Sequence, residues 1–529
     1  MIPFRTGFFP CGTVVYTERT GIMREFHRYI NDYFKYCRAN GKKAAVFFHT
    51  SVLCAITAEL KSAISTPYQP ILDYYVPENC YYEIKLLVQC RDIGRIRENA
   101  RLLTENSGKN SADGAKITIS DDLTELYAGK IDICGKYNCD EAVFIFLSYK
   151  AADDFRHRIK NLSGVRILCA DPILDVKLPD KPVSPRELPA IKPEKTGFSN
   201  TPLSFSADDS FTITSADRGT VPVRAAFSEF GFLSRGGEGT LYTSDKMSGK
   251  LIKLFLHKPE AGTVEKLKAL MKHSGKIPYC TLPDALVYHD GECVGFVMDK
   301  LSGKDLELLF RETEGKAAEL YQRYHDTGED KLDKFYEETD RLKTKIIKDL
   351  TVGLLLLRLI SFTPTDLSSS NVMVGSSGDV SFIDCDGGEF MLYPGGGSKS
   401  PFAHPNDTPD NYFKALRPYE YIDFSYAVLL WQFLFGNRHP LNQKAEYDTL
   451  EWGKMAFPLA NDPYGKGICA GGCRADESSL SIWRGLNTDI RKAFTDAFTF
   501  GKTDGTKIYS ERIRDIGGWI KLTGLADTQ

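Results

Sequence analysis

The chain has 529 residues and carries 67 lysines and arginines against 70 aspartates and glutamates, a formal net charge of -3. This length predicts two or three domains, each with a core of its own, and the near balance of charge argues against nucleic-acid binding as the main function. Thirteen scattered cysteines predict a reduced protein, and a start without a basic stretch followed by a long apolar core predicts no secretory signal, so a cytoplasmic protein without a membrane partner is expected.

Residues 1–175 alternate strand-like runs with helical patterns. The strand-like runs are KAAVFFH, YYEIKLLVQC, AKITIS, EAVFIFLSY and VRILCA, and helical periodicity marks GIMREFHRYINDYFKYC, DIGRIRENARLL and ADDFRHRI. This alternation predicts an α/β domain with a mostly parallel sheet. His49 is interpreted as a core-edge residue and Asp92 as a helix N-cap, since no catalytic arrangement surrounds them. We expect this domain to bind a partner or a signal.

Residues 176–227 are predicted to form a proline-rich linker and the approach to the next domain. DVKLPDKPVSPRELPAIKPEKTGFSNTP repeats proline among charges. Such a composition favours an extended, semi-rigid spacer.

A glycine-rich turn comes next in FLSRGGEGTLY. Gly236, Gly237 and Gly239 permit a tight reversal between two apolar strands, and such a turn can place backbone N–H groups over phosphates. A lone turn of this kind is equally typical of an ordinary β-hairpin, so its interpretation depends on the motifs downstream of it in the chain.

Lys253 lies in the alternating strand-like run GKLIKLFLHK. A half-buried ammonium requires an anion, and its natural partners are nucleotide phosphates and a carboxylate on the next helix. That helix is predicted over residues 263–272, with Glu265 near its start as the ion-pair partner and Glu260 as the alternative. The alternative interpretation is that Glu265 is exposed to solvent and only favours the helix N-terminus.

The stretch TDLSSSNVMVGSSGDVSFIDCDGG sets Asp366, Asn371 and Asp384 at offsets of five and thirteen residues. A phosphotransfer site needs a carboxylate that accepts the proton of the attacking hydroxyl. It also needs an amide oxygen and a second carboxylate that hold magnesium against the triphosphate. Asp366 is the candidate base, and Asn371 and Asp384 are the candidate metal ligands.

Four further segments in the second half of the chain have structural interpretations. Residues 311–345 predict a solvated helical insertion that leads into a buried helix ending near Ile360. YPGGGSKSPFAHP predicts a mobile loop, in which Ser398 and Ser400 are interpreted as ordinary loop serines. YIDFSYAVLLWQFLFGNRHPL is apolar almost all round and predicts a buried helix with Asp423 at its start. The loop pair ICAGGC lacks the further ligands of a zinc site.

Residues 228–522 resemble the eukaryotic-like Ser/Thr protein kinase family in its divergent bacterial form, with GGEGTLY, Lys253, TPTDLSSSN and IDCD in the family's order. The resemblance implies an α+β two-lobed domain, with a small lobe and hinge over 228–303 and a large lobe over 304–525. It also implies that Met298 is the gatekeeper, that residues Asp299 to Leu301 meet adenine, and that Asp423 braces the catalytic loop. ATP with magnesium or manganese is the implied cofactor set.

The chain departs from the family pattern at several positions. Ser234 replaces the first loop glycine, Pro364 and Thr365 replace the His-Arg before the catalytic aspartate, and Ser368 replaces a lysine. Without that arginine, phosphorylation of the activation loop is not expected to be a required switch. Loss of the lysine removes a positive charge from the transferring phosphoryl group and predicts a slower enzyme.

The leading hypothesis is a kinase that phosphorylates serine or threonine hydroxyls of a protein substrate. One alternative is a pseudokinase that serves as a nucleotide-binding scaffold, and another is a small-molecule kinase. Phosphate turnover separates the first two hypotheses, and the acceptor separates the first from the third.

Overall fold

A computed structural model describes the chain over most of its length. The described residues are 32–54, 61, 71–90, 94–108, 117–121, 123, 132–169, 183–188, 190, 192–215, 221–324, 331–397, 402–436, 438–441, 457, 459, 462, 477–499, 501–503, 507–509 and 513–527. The predictions for Asp92, Ser398, Ser400 and the ICAGGC cysteines lie outside these residues. The chain divides into two compact units, one of residues 1–190, 359–361 and 511–529, and one of residues 191–358 and 362–510.

The first unit contains a six-stranded sheet in the order β3-β4-β2-β1-β5-β6. Its strands are β1 (Ala44–Phe48), β2 (Leu72–Pro77), β3 (Ser107–Gly108), β4 (Ile117–Ser120), β5 (Glu141–Phe146) and β6 (Val165–Cys169). All pairings are parallel, with Val46 of the central β1 opposite both Tyr74 and Val143. Each residue of β1 and β5 is buried, as expected for a sheet covered on both faces. The predicted α/β architecture of this region is therefore confirmed.

The helices of this sheet are α1 (Thr50–Leu53), α2 (Glu78–Cys90), α3 (Gly94–Asn106), α4 (Ile133–Lys136) and α5 (Tyr149–Arg158). His49 is the N-cap of α1, and its side chain accepts a hydrogen bond from the backbone N–H of Ser51. YYEIKLLVQC belongs to α2, so the strand predicted there is wrong. Its buried residues Cys80, Glu83, Ile84 and Leu87 follow helical spacing, and the strand lies just before it in β2.

The second unit begins with a mostly antiparallel β region. Its strands are β7 (Phe198–Pro202), β8 (Ser210–Ser215), β9 (Val223–Ala226), β10 (Gly231–Arg235), β11 (Gly239–Thr243), β12 (Lys250–Phe255), β13 (His257–Pro259), β14 (Ala285–His289) and β15 (Glu292–Asp299). Seven of them form one sheet in the order β10-β11-β12-β15-β14-β8-β9, and β7 pairs with β13. Strands β7 to β9 come from residues predicted as linker, so this region begins well before residue 228. Phe211 and Ile213 of β8 are buried in the same core as Ile252 of β12.

The remainder of the second unit combines helices with short hairpins. The helices are α6 (Ala261–Met271), α7 (Leu306–Tyr324), α8 (Lys331–Leu359), α9 (Tyr419–Phe435), α10 (Glu477–Gly485) and α11 (Thr488–Phe498). The short strands are β16 (Lys304–Asp305), β17 (Phe362–Thr363), β18 (Val372–Val374), β19 (Val380–Phe382), β20 (Glu389–Phe390), β21 (Gly501–Thr503) and β22 (Lys507–Tyr509). Helix α9 is buried almost all round, as predicted. Asp423 in α9 is fully buried and accepts a hydrogen bond of 2.5 Å from Arg358 at the end of α8.

The last helix, α12 (Ile516–Thr523), belongs to the first unit. It packs on α2 closely enough that a Cβ on Gly517 would lie 2.5 Å from the carbonyl oxygen of Asn79. Trp519 and Ile520 are fully buried, and Lys521 forms an ion pair of 2.6 Å with Glu78. The large-lobe boundary predicted at residue 525 is therefore wrong, because residues 511–529 complete the α/β unit.

Within the described residues, no helix combines the length and apolar character needed to cross a membrane.

Candidate functional site

A cavity of about 480 Å³ lies in the second unit between the glycine-rich turn and the loops that carry Asp366 and the acidic motif IDCD. Its lining includes Lys253, Asp366, Asn371 and Asp384. Residues far apart in the sequence thus converge on one space, and each was singled out from the sequence.

The glycine-rich turn forms one wall of this cavity. The backbone N–H of Gly236 donates to the carbonyl of Gly239 over 2.8 Å and closes the reversal between β10 and β11. A Cβ on Gly239 would lie 2.9 Å from the Leu254 carbonyl oxygen and 3.1 Å from Cγ of Lys253. Glycine therefore lets β11 approach the lysine-bearing strand. Gly237 has open space at the corresponding position.

Apolar side chains also line this cavity, next to the pairing of β12 with β15. Met298 is buried near the end of β15, opposite Leu251 of β12, and Asp299 and Leu301, which follow it in the chain, also line the cavity. Of the three residues predicted to meet adenine, Asp299 and Leu301 line the cavity and Lys300 is not among its lining residues. Sequence reasoning missed four apolar side chains that also line it: Leu241, Leu251, Met373 and Ile383. Leu251 was detectable, because it lies two residues before Lys253 and so shares its face of the strand.

Lys253 is almost completely buried and is held by two carboxylates. Its Nζ lies 2.6 Å from Oδ1 of Asp384 and 2.9 Å from both oxygens of Asp386. Burial by itself lowers the pKa of Lys253, but the charges of Asp386 and Asp384 outweigh it and raise this pKa above its usual value. The ammonium therefore remains charged at neutral pH.

The ion pair predicted between Lys253 and Glu265 is absent from the described contacts, and the structure corrects it. Glu265 is half exposed on α6 and pairs with Lys268 over 2.8 Å. The alternative partner, Glu260, pairs with Lys195 over 3.0 Å. Both glutamates are thus on surfaces outside the cavity lining.

The loop from Asp366 to Asn371 is closed by its own side chains. Nδ2 of Asn371 donates to Oδ2 of Asp366 over 2.7 Å and to the Asp366 carbonyl over 3.0 Å. The Asn371 carbonyl accepts from the N–H of Ile383 over 3.0 Å, which ties this loop to the strand before Asp384. The amide fixes the orientation of the Asp366 carboxylate, and its own oxygen stays available as an acceptor.

Asp384 occupies a left-handed backbone conformation with φ of 58°. Such a conformation is uncommon for residues other than glycine and is concentrated at functional sites. Its side chain is 48% exposed, whereas that of Asp386 is 5% exposed. Asp384 is therefore the carboxylate of this pair that a bound ion can reach.

Thr365 and Ser368, two of the positions at which the chain departs from the kinase pattern, are buried. Thr365 Oγ1 donates to the Gly387 carbonyl over 3.1 Å, and Ser368 Oγ lies 3.1 Å from Ser370 Oγ. Both Thr365 and Ser368 are 1% exposed. Thr365 therefore joins its segment to the acidic motif, Ser368 contacts a neighbour in its own loop, and neither side chain offers a charge to a ligand.

The donor set for a metal is small. Within the described part of the chain, no group of three or more His, Cys, Asp and Glu side chains could hold a metal ion. Magnesium typically takes one or two protein carboxylates and completes its octahedron with water and substrate phosphates. Asp384 and the amide oxygen of Asn371 fit that lower requirement.

Three charged residues near Lys253 were missed from the sequence: Glu238, Lys266 and Asp386. Lys266 is 1% exposed, and its Nζ donates to the Gly388 carbonyl over 2.9 Å. Burial lowers the pKa of Lys266 to about 8. Glu238 lines the cavity, and burial together with the charge of Asp386 raises its pKa to about 7.

No protein-family model matches this chain, and no curated protein matches it either.

Proposed function

We propose that this protein is an ATP- and magnesium-dependent protein kinase that phosphorylates serine or threonine hydroxyls, with the two-lobed fold of that family over its second unit. One observation carries the proposal: Lys253, Asp366, Asn371 and Asp384 line a single cavity with the glycine-rich turn. The apolar lining residues, which include Leu241, Leu251 and Met298, suit the adenine ring, and the charged and glycine residues of the lining suit a triphosphate.

The proposed roles follow from position and charge. Lys253 and the backbone N–H groups of the glycine-rich turn other than that of Gly236, which closes the turn, bind the phosphates, which carry the charge that develops during transfer. Asp366, oriented by Asn371, accepts the proton of the acceptor hydroxyl as its oxygen attacks the terminal phosphorus and ADP leaves. Asn371 and Asp384 would hold magnesium, which neutralises phosphate charge when bound.

A nucleotide-binding scaffold is the second candidate. The loop of residues 366–371 contains no lysine or arginine, and the serine at position 368 is buried. A transferring phosphoryl group would therefore lack the cation that this loop usually supplies. Nucleotide binding does not need that cation, whereas fast transfer does.

Calorimetric titration with ATP, in the presence and absence of magnesium, tests the binding step that both candidates share. We expect magnesium to tighten ATP binding to the wild type and to have little effect on Asp384→Asn. Glu265→Gln, in which an exposed helix carboxylate is removed, should match the wild type. Failure of the wild type to bind ATP would contradict both candidates. ATP binding without any phosphate transfer would favour the scaffold.

A further inference from the structure

The carboxylate that holds Lys253 comes from the acidic motif rather than from helix α6. Both oxygens of Asp386 lie 2.9 Å from Lys253 Nζ, and the Asp386 side chain is 5% exposed. Because Asp384 is half exposed, it can exchange Lys253 for a bound ion, whereas Asp386 is enclosed with the lysine. Asp386 is therefore the permanent partner.

Helix α6 supplies the opposite charge to the one predicted for it. The buried side of α6 includes Thr263, Lys266, Leu267 and Leu270, which follow the i, i+3, i+4, i+7 spacing of one helix face. Glu265 lies on the other side of the helix, where it pairs with Lys268. The helix thus presents an ammonium where the sequence pattern led us to expect a carboxylate.

Lys266 connects the helix to the same segment that carries Asp386. Its Nζ donates to the Gly388 carbonyl, two residues after Asp386, over 2.9 Å. The charged groups that face Lys266 are Asp386, Glu238, Glu389 and Lys253. A buried lysine needs such acceptors, and the Gly388 contact fixes α6 against the acidic motif.

The coupling predicted from the sequence joins Lys253 to a carboxylate on helix α6. We propose that this chain reverses the charges: Asp386 of the acidic motif positions Lys253 for the nucleotide phosphates, and Lys266 supplies the helix's charge and anchors α6 to the acidic motif. Asp386 is a positioning residue that acts through Lys253. Glu265 takes no part. This inference rests on the proposed function, because its ligand is the ATP triphosphate.

The test compares Asp386→Asn, Lys266→Glu, the double variant and Glu265→Gln by their Mg-ATP dissociation constants and by KM and kcat for ATP. In Asp386→Asn, Lys253 keeps only Asp384, which is then withdrawn from the metal. We expect at least a tenfold rise in the dissociation constant and in KM, with a smaller change in kcat. Lys266→Glu alone should be similarly impaired, since it places a carboxylate beside Asp386 and Glu238. Glu265→Gln should remain within twofold of the wild type.

The double variant returns a carboxylate to the helix and removes the one at position 386. We expect the double variant to bind Mg-ATP at least fivefold more tightly than whichever of Asp386→Asn and Lys266→Glu has the larger Mg-ATP dissociation constant. An Asp386→Asn protein that binds within twofold of the wild type would overturn the inference. So would a double variant no better than the single variants, or a Glu265→Gln defect equal to that of Asp386→Asn.

Two results distinguish a failure of this inference from a variant that does not fold and from a failure of the proposed kinase function. If Asp386→Asn does not fold, the double variant decides: folded protein that binds Mg-ATP supports the coupling, and a double variant that neither folds nor binds contradicts it. A wild type that does not bind Mg-ATP contradicts the proposed function itself. Normal wild-type binding with unchanged variants contradicts only the role of Asp386 and Lys266.

Discussion

The charged residues around Lys253 show which parts of the site a sequence can reveal. Lys253, Asp366, Asn371 and Asp384 were predicted because their chemistry requires fixed residue types at fixed spacing. Glu265 was mispredicted because residues 265 and 266 are adjacent in the sequence but point about 100° apart on the helix, and the buried face is the one that carries Lys266. Lys266 carried a signal, since it lies on the same face as Leu270, four residues later. Asp386 was not distinguished, because the spacing of the predicted metal ligands selects Asp384, and the contact of Asp386 with Lys253, 133 residues away, leaves no local pattern.

Glu238 predicts a pH dependence of nucleotide binding. Its pKa is raised to about 7, and the charged groups facing it are Asp386, Lys253, Asp384 and Lys266. A raised carboxyl pKa means that the group is neutral below about pH 7 and charged above it, where it repels phosphates. From about pH 6 to about pH 8, Mg-ATP binding by the wild type should therefore weaken relative to Glu238→Gln, reaching a severalfold difference at the upper end.

Because protonation of ATP affects binding to both proteins equally, its contribution cancels in the comparison of the wild type with Glu238→Gln. Glu265→Gln serves as the control for loss of an exposed carboxylate and should follow the wild-type curve. Parallel pH profiles for the wild type and Glu238→Gln, measured by calorimetry, would show that Glu238 does not titrate in this range.

The glycine-rich turn shows how the distance between two strands decides whether a position accepts a side chain. Gly236, Gly237 and Gly239 were all predicted as phosphate-binding positions, but their surroundings differ. Gly239 contacts the lysine-bearing strand, whereas Gly237 has no atom within 4 Å of an added Cβ. Sequence alone does not distinguish them, because the difference depends on how closely β11 approaches β12.

These surroundings predict a large effect on stability for Gly239→Ala and a small one for Gly237→Ala. Gly239→Ala should weaken Mg-ATP binding about tenfold and lower the free energy of unfolding by roughly 1–3 kcal/mol, since the added methyl group meets backbone. Gly237→Ala should change the free energy of unfolding by less than about 1 kcal/mol. Thermal unfolding and ATP titration measure both effects. Equal behaviour of the two variants would contradict the packing described for Gly239.

The strand predicted for YYEIKLLVQC failed for a different reason. Its tyrosines, isoleucine and valine favour strands, but propensity is weaker than the burial of a helical face. Cys80, Glu83, Ile84 and Leu87 are all buried on α2 at helical spacing. The helical periodicity is present in the sequence, and it outweighs the strand-favouring composition.

The division of the chain into units was only partly accessible from the sequence. The parallel α/β sheet and the buried helix α9 were predicted, because alternation and uniform apolarity are local patterns. The assignment of residues 511–529 to the first unit was not, since it depends on packing between α12 and α2: Asn79 of α2 bonds to Asp515, the N-cap of α12, 436 positions away. Local patterns contain no record of such pairings.

This packing predicts that the C-terminal helix stabilises the α/β unit. Trp519 is fully buried, and its loss leaves a cavity, so Trp519→Ala should lower the free energy of unfolding by about 3–5 kcal/mol. Lys521→Ala removes only a partly exposed ion pair with Glu78 and should cost less than about 1 kcal/mol. Hydrogen exchange over α2 provides the readout, and equal protection in Trp519→Ala and Lys521→Ala would contradict this assignment.

The central claim is that the cavity transfers phosphate from ATP to a hydroxyl group. The most direct measurement traces label from γ-labelled ATP with magnesium into serine or threonine, on the protein itself and on a generic protein acceptor, by mass spectrometry. The wild type should incorporate label, and both Asp366→Ala and Asp384→Ala should abolish incorporation. Absence of label in a wild type saturated with ATP, or undiminished label in Asp366→Ala, would contradict the account.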